Sequence, residues 1–306
     1  MSIANPFHDG EQLVQQRLGE VEIAQRNGRI IADKIIPGAL KFIEQQPMVV
    51  LGSVGISQNV WASVLFGSPG FMTAVDQSTV EFDLNQAVCN SLDPFWTNIE
   101  HNPQIGMLVI ELATRRRLRI NGEVTRLSET RLRLNVWESY PNCPKYIQRR
   151  HITRNHKSTS PLKEARTGLT LSAEQSALIG TADTFFVASA HPIRGVDASH
   201  RGGNPGFVRV LDDRTLRIPD YAGNSMFNTL GNFVENPHAG LIFLDFERYV
   251  SLQLIGRPEI LWELDDPTNE TNGTRRYWTL FVEQWLETSL SQSFCWELLD
   301  YSPYNP

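Results

Sequence analysis

No apolar run in this 306-residue chain approaches the ~18 residues that a membrane-spanning helix needs. The first residues, Met1 to Glu11, lack both the basic stretch and the apolar core of an export signal, so the expected location is the cytoplasm. Cysteine is scarce. Cys89, Cys143 and Cys295 are an odd number at wide spacing, which supports neither a disulfide framework nor a zinc cluster. His151 and His156 have no metal-ligand spacing and no carboxylate cluster beside them, and no metal is expected. Lysine is also rare, five against 23 arginines, and arginine is the side chain that forks onto carboxylate or phosphate. Positive charge is not in excess: the formal net charge is −6, so the chain has no field to draw nucleic acid or an anionic membrane. A Gly-Lys-Ser/Thr phosphate loop and a G-x-G-x-x-G fingerprint are both absent, which excludes the two commonest nucleotide-binding motifs.

What is present reads as an ordinary folded protein, 41% apolar and 20% charged, long enough for about two domains. Laying the chain on itself reveals a repeat of domain size. Trp61-Ala62-Ser63, Gly67 and Pro69-Gly70-Phe71 sit over Asp197-Ala198-Ser199, Gly203 and Pro205-Gly206-Phe207 at a constant offset of 136. Asn98, Asn102-Pro103 and Gly106 match Asn232, Asn236-Pro237 and Gly240 at an offset of 134, as do Leu118 with Leu252 and Gly122 with Gly256. A slip of two residues is loop-sized. The reading is therefore an N-terminal helical segment (1–46), a first repeat (47–126), a helical and loop connector (127–182), a second repeat (183–262) and a helical tail (263–306).

Each repeat consists mainly of apolar, β-branched runs separated by turn signals, as at Pro47 to Val54, Gly70 to Val75 and Ile105 to Leu112 in the first. One short helix per copy, about Asp93 to His101 and Ser225 to Glu235, stops at an Asn-Pro. That pattern predicts a mainly β fold with flanking helices, two small barrels in one chain packed as an internal pseudo-dimer. Helices are expected from Asp9 to Asn27, from Asp33 to Gln46 with a break at Pro37 and Gly38, from Arg126 through Tyr140, and from Thr274 to about Leu290.

Three segments carry possible chemistry. Ser199-His200-Arg201-Gly202-Gly203-Asn204-Pro205-Gly206 has the glycines, hydroxyl and cation of a phosphate or flavin cradle, and equally the composition of a glycine-rich hairpin loop. Asn228-Thr229, on the first turn of the short helix, can hold a phosphate or simply cap that helix. The first copy has Asp93-Pro94-Phe95-Trp96 there, with Phe95 opposite Thr229, so a ligand site belongs mainly to the second copy. On a strand, Arg115, Arg117 and Arg119 share one face, which is either a solvated edge or has an anion across it, a ligand phosphate or carboxylates such as Glu111 and Glu123. The second copy has Ser251-Leu252-Gln253-Leu254 at that place. Cys143 in Asn142-Cys143-Pro144-Lys145-Tyr146-Ile147 reads as a buried structural thiol, and His8 with Glu11 as a helix-entry cluster.

With these residues the sequence resembles the FMN-binding proteins related to pyridoxamine 5'-phosphate oxidase, and within them the branch that carries two split barrels in tandem. The resemblance rests on Asp197 to Val210, Ile218 to Asn224, Phe227 to Asn232, the Phe-His-x-Gly-Glu start at Phe7 to Glu11, the arginine strand Arg115 to Arg117 and Asn142 to Ile147. It implies two FMN-binding split β-barrels in one chain, with FMN at the interface between them, and an FMN-dependent oxidoreductase that moves two electrons as hydride to or from a small substrate. The alternative is a non-catalytic FMN-binding or scaffold protein. Carried over, Phe207, Val208 and Arg209 would lie under the flavin, Pro219 and Asp220 would border its ring, and Asn228 and Thr229 would take the phosphate positions. Ser199, His200, Arg201 and Gly202 would close the site, with Arg117 and Arg119 reaching from the other barrel. An Arg-Lys pair typical of the oxidase helix is replaced here by Asn228-Thr229. The implied partners are a small substrate or an electron donor such as NAD(P)H or a reductase, with no nucleic acid or membrane, in a monomer or homodimer.

Overall fold

The apolar runs become strands with both faces covered. In the computed structural model, which describes residues 5–154, 165–290 and 293–306, Val49 and Leu51 point into one core while Met48 and Val50 point into another. A continuous apolar run, rather than an alternating one, is what such double burial requires.

The N-terminal segment supplies α1 (Asp9–Arg17), α2 (Val21–Gly28) and α3 (Leu40–Glu44). The first sheet follows, with β1 (Met48–Val54), β2 (Val60–Gly67), β3 (Met72–Asp76), β4 (Thr79–Asp83), β5 (Ala87–Val88), β6 (Gln104–Glu111), β7 (Arg116–Ser128) and β8 (Arg131–Pro141). Helix α4 (Phe95–His101) lies between β5 and β6. A connector carries β9 (Arg149–Arg154), β10 (Arg166–Gly168) and α5 (Ala173–Thr181), whose Ser172 and Gln175 cap its start reciprocally. The second sheet contains β11 (Thr184–His191), β12 (Gly195–Gly202), β13 (Arg209–Val210), β14 (Thr215–Pro219), β15 (Ala239–Asp245), β16 (Val250–Leu261) and β17 (Tyr277–Ser289), with α6 (Asn228–Glu235) between β14 and β15. β18 (Phe294–Asp300) pairs with β9.

The strand orders are β3-β4-β8-β7-β6-β1-β2-β5 and β13-β14-β17-β16-β15-β11-β12, the same plan strand for strand through seven positions. Each sheet curls round its own core as a split barrel, one built on Leu51, Phe71, Met107 and Ile120, the other on Phe185, Leu241, Leu254 and Trp278. A third core joins them, where Val50, Ala62 and Leu108 meet Phe186, Ala198 and Ile242. Fully burying an aliphatic side chain is worth about 1.5–3 kcal/mol, so each of these side chains contributes on that scale to holding the barrels together.

Glycines set how close the barrels come. A Cβ on Gly106 would lie 2.7 Å from the Asp197 Cα, and one on its counterpart Gly240 would lie 2.8 Å from the carbonyl carbon of Trp61, the residue matched to Asp197. Gly52 faces its own counterpart Ala188 at the axis of the pseudo-dimer, where a Cβ on Gly52 would lie 3.1 Å from the Ala188 Cβ.

Several sequence expectations change. The stretch from Arg126 to Tyr140 is not helical but the end of β7 and most of β8, because Leu132 and Leu134 are buried while Arg131, Arg133 and Asn135 alternate outward. The stretch from Thr274 to Leu290 is β17: Trp278, Leu280 and Val282 are buried at a period of two, Phe281 faces solvent, and the aromatic and β-branched content favours a strand. The 263–306 tail and most of the 127–182 connector are thus strand and loop, and both repeats extend beyond 126 and 262 to take in β8 and β17. Gly19, at φ +67°, divides the first helix in two. Only a 3-10 turn (Pro37–Ala39) and α3 remain of the helix expected from Asp33. His156 lies outside the described residues. No described helix is long and apolar enough to cross a membrane.

The close approach gives a test. Gly240→Val would push a methyl-bearing Cβ to 2.5 Å from the Val60 carbonyl oxygen, whereas Gly38→Ala meets nothing within 4 Å. In urea unfolding the first should lose about 2 kcal/mol or more and the second should stay within about 0.5 kcal/mol of the parent. Equal stabilities would refute the glycine-limited contact.

Candidate functional site

Strand β7 of the first barrel and strand β12 with helix α6 of the second meet along one side of the shared core. The cleft between them encloses about 800 Å3 of open space, its solvent-facing mouth included. Residues 142–146 and the loop before α6 form its other walls.

Strand alternation places Arg117 and Arg119 of β7 in the cleft. Arg115 leaves this face: at φ 57° it precedes the strand, and its guanidinium reaches the Ile147 carbonyl (2.8 Å) and Asp300. Arg116 pairs with Glu111 at 2.7 Å. The two cleft arginines have different work. Arg119 is buried and saturated: it donates to the Ala198 carbonyl (3.2 Å), the Tyr140 hydroxyl (2.6 Å), Asn228 Oδ1 (3.0 Å) and Ser199 Oγ, and its guanidinium lies 3.0 Å from Asp197 Oδ2. It fastens β7 to β12. Among the described residues Arg117 donates to backbone carbonyls alone, Cys143 at 2.8 Å and His200 at 3.5 Å.

Arg201 on β12 likewise donates to the His200 carbonyl at 3.1 Å. Among the described residues neither Arg117 nor Arg201 has a carboxylate within 4 Å. Burial, and then the neighbouring Arg201 charge, pull Arg117 down to about 9, and burial lowers Arg201 as well. Both remain cationic at neutral pH, and an anion between them would relieve the strain. His200 is 3% exposed, and among the described residues neither ring nitrogen has a hydrogen-bond partner. Burial and the charges of Arg117, Arg201 and Arg150 hold it well below the usual histidine range, so it is a neutral ring. Ser199 and Thr229 stand with their hydroxyls 3.4 Å apart.

Of the residues named from sequence, Arg117, Arg119, Ser199, His200, Arg201, Gly202, Asp220, Asn228 and Thr229 all line this cleft. Some have structural duties. Asn228 is held at both ends of its amide, by Arg119 and by Glu11, and Asp220 pairs with Arg276 at 3.0 Å. Gly202 is required because a Cβ there would stand 2.1 Å from the Tyr146 carbonyl oxygen. Phe207, Val208, Arg209 and Pro219 are not in the cleft. Gly206, at φ +91°, turns the chain so that Val208 enters the barrel core and Phe207 stacks on Phe185 at 5.8 Å. Arg209 points outward to Glu270 at 2.9 Å, and Pro219 borders a separate groove with it. The Gly-Asn-Pro-Gly half of the cradle is therefore a turn that leads from β12 across to β13, and the Ser-His-Arg-Gly half lines the site.

Sequence reasoning missed the far wall. Cys143 is half-buried in the cleft, and Tyr146 stacks near Tyr221, ring centres 4.8 Å apart, its hydroxyl donating to the Ala222 carbonyl at 3.0 Å. Tyr146, Ser225 and Phe227 all hold positive φ, 66°, 61° and 59°, a concentration of backbone strain at one site. The Asn-Cys-Pro-Lys-Tyr run was the available signal.

Behind Asn228 lies a smaller polar cavity lined by His8, Glu11, Asn121, Glu138 and Asp197. Burial pushes the Glu11 carboxyl up to about 8 and Glu138 to about 7, and lowers His8 to about 4. A carboxyl raised in the native state costs stability as pH rises from its unfolded value, near 4.5, to its folded one. Above pH 6.5, where the lowered histidines no longer contribute, urea midpoints should therefore drop towards pH 8, and Glu11→Gln should flatten that drop, leaving the part due to Glu138. An unchanged slope in the variant would show that Glu11 is ionised throughout.

Residues 36–161 match the family model described as pyridoxamine 5'-phosphate oxidase. No curated protein matches the chain. Among solved structures, HupZ of Group A Streptococcus is 18% identical, with 38% of this chain and 98% of that one covered and a TM-score of 0.31. An FAD-binding protein of Mesorhizobium loti is 14% identical (42% and 99% covered, TM-score 0.28). A Clostridium acetobutylicum protein related to general stress protein 26, of the pyridoxinephosphate oxidase family, is 12% identical (41% and 86% covered, TM-score 0.25). The similarity to pyridoxamine 5'-phosphate oxidase thus covers residues 36–161, which hold α3 and the first sheet, while the second sheet repeats that sheet's strand order.

Proposed function

We propose that the chain binds FMN in the cleft between its barrels and works as a flavin-dependent oxidoreductase, exchanging two electrons with a small substrate or with a donor such as NAD(P)H or a reductase. The observation that carries this reading is the pair of half-buried guanidiniums, Arg117 and Arg201, that face the cleft with no carboxylate against them among the described residues. A phosphate ester suits them. Arg201, Arg117, Ser199 and Thr229 would hold it, as two charges and two hydroxyls, and Thr229 adds its place in the first turn of α6. The Tyr146 and Tyr221 rings, tilted 35° to each other, bring aromatic surface to the cleft against which a planar heterocycle could pack. Asn228 and Thr229, which stand where the oxidase has Arg-Lys, thus hand the cationic role to Arg117 and Arg201.

Bound FMN supplies the hydride chemistry, and the protein supplies position and charge. Arg119 fixes β12, Ser199 and Asn228 in register with β7. Arg117 and Arg201 keep the site positive, which favours binding of anions and any negative charge that develops in the cleft. Neutral His200 serves as an uncharged wall and, at neutral pH, lacks the second ring proton with which an imidazolium acts as an acid.

The first test is the absorption spectrum of the purified protein between 300 and 550 nm, with mass spectrometry of what heat releases. Flavin bands and FMN are expected. Arg201→Ala and Arg117→Ala should each weaken FMN binding at least tenfold, whereas Arg209→Ala, outside the cleft, should leave it unchanged. Anaerobic reduction of the bound flavin by NAD(P)H or a reductase separates an enzyme from a binder. Protein that is colourless and takes up no added FMN would end the proposal.

A further inference from the structure

The two barrels match at the level of single hydrogen bonds. Asn232 Nδ2 donates to Ser189 Oγ at 2.9 Å, and its counterpart Asn98 donates to Ser53 Oγ at 3.0 Å. Arg119 donates to the Ala198 carbonyl at 3.2 Å and to Ser199 Oγ, and its counterpart Gln253 donates to the Ala62 carbonyl at 2.9 Å and to Ser63 Oγ at 3.2 Å. The cleft described above therefore has a pseudo-symmetric twin on the other side of the interface, at the small pocket lined by Ser63, Asp93, Phe95 and Trp96.

In this twin the donors point at a carboxylate of the chain itself. Ser63 Oγ donates to Asp93 Oδ1 at 2.6 Å, the Phe95 N–H donates to the same oxygen at 2.9 Å, and Gln253 Nε2 lies 3.4 Å from Oδ2. Ser63 and Gln253 are almost wholly buried, at 2% and 1% exposure. The matching donors on the open side are Ser199, Thr229 and Arg119, which line the cleft, and the residue matched to Asp93 is Phe227, which brings no anion. One side is filled from within.

We propose that Asp93 is an intramolecular ligand: its carboxylate occupies the anion seat of a second site, and its removal opens that seat to an oxyanion such as phosphate or sulfate. The proposal rests on reading the open cleft as an anion site. Capping of α4 explains the bond to Phe95 but not the two side-chain donors that arrive from β2 and from β16 of the other barrel. With Gln253 where the open side has Arg119, no described cation lies within 4 Å of Asp93, and burial raises its carboxyl to about 6, so the plug is ionised at neutral pH yet weakly held. A seat built from neutral donors suits a tethered carboxylate and binds a free anion less tightly than the arginine-lined cleft.

The test counts inorganic phosphate bound per chain by isothermal titration at pH 7.5. Asp93→Ala should bind one equivalent more than the parent, Asp93→Asn should match the parent because its amide still fills the seat, and Asp93→Ala with Ser63→Ala should lose the added equivalent. If folded Asp93→Ala binds no more phosphate than the parent, the proposal falls. If Asp93→Ala does not fold in chloride buffer, refolding in 100 mM phosphate at equal ionic strength decides: rescue supports the seat, and no rescue overturns it. A parent that binds no phosphate would count against the flavin reading, while the difference between parent and variant would still test the plug.

Discussion

The contact on which the structure depends is the approach of two backbones at Gly106 and Gly240. Because Gly106 carries no side chain, the Asp197 backbone settles directly on β6, and β12 comes within reach of the neighbouring strand β7. Arg119 can then bridge to Ala198, Ser199 and Asp197 at once. A wider gap would leave this buried guanidinium short of partners, a loss of several kcal/mol for a charge out of water. The cleft is a by-product of that fit: its floor is the Arg119 network, and its walls are whatever each barrel presents beyond it.

The same fit occurs on both sides of the axis, but the side chains differ. Arg119 is answered by Gln253, Asp197 by Trp61 and Thr229 by Phe95. On one side the substitutions leave charge facing space. On the other they leave a small pocket filled by the Asp93 carboxylate, with uncharged donors round it. Fold symmetry and functional asymmetry are therefore separable: the glycines and the serine–asparagine bonds maintain the first, and a handful of positions set the second.

Much of the architecture was legible because the repeat is written in residues that the fold cannot replace. The Pro-Gly-Phe turns, the Asn-Pro helix stops and the interface glycines recur at fixed offsets since each meets a backbone constraint. The last strand of each barrel was not legible: in β17 two adjacent apolar pairs mimic a helical stripe, and only long-range pairing with β16 settles the period. In the site, strand alternation located Arg117 and Arg119, and the unusual Ser-His-Arg-Gly run located the facing wall. Phe207 to Arg209 lie outside the cleft because one left-handed glycine, Gly206, redirects the chain, a local event that spacing does not reveal. Cys143 and Tyr146 escaped because a loop far away in sequence brings them in.

Joining both barrels in one chain has a consequence of its own. When two separate copies of a barrel form such an interface, each mutation appears twice and the interface dissolves on dilution. Here the partner is tethered, its effective concentration is fixed by the connector, and the interface holds at any protein concentration. The two halves are also free to drift apart in role. One half can bring Arg117 and Arg119 to the cleft while the other brings Ser199, Arg201 and Thr229, a division closed to identical subunits.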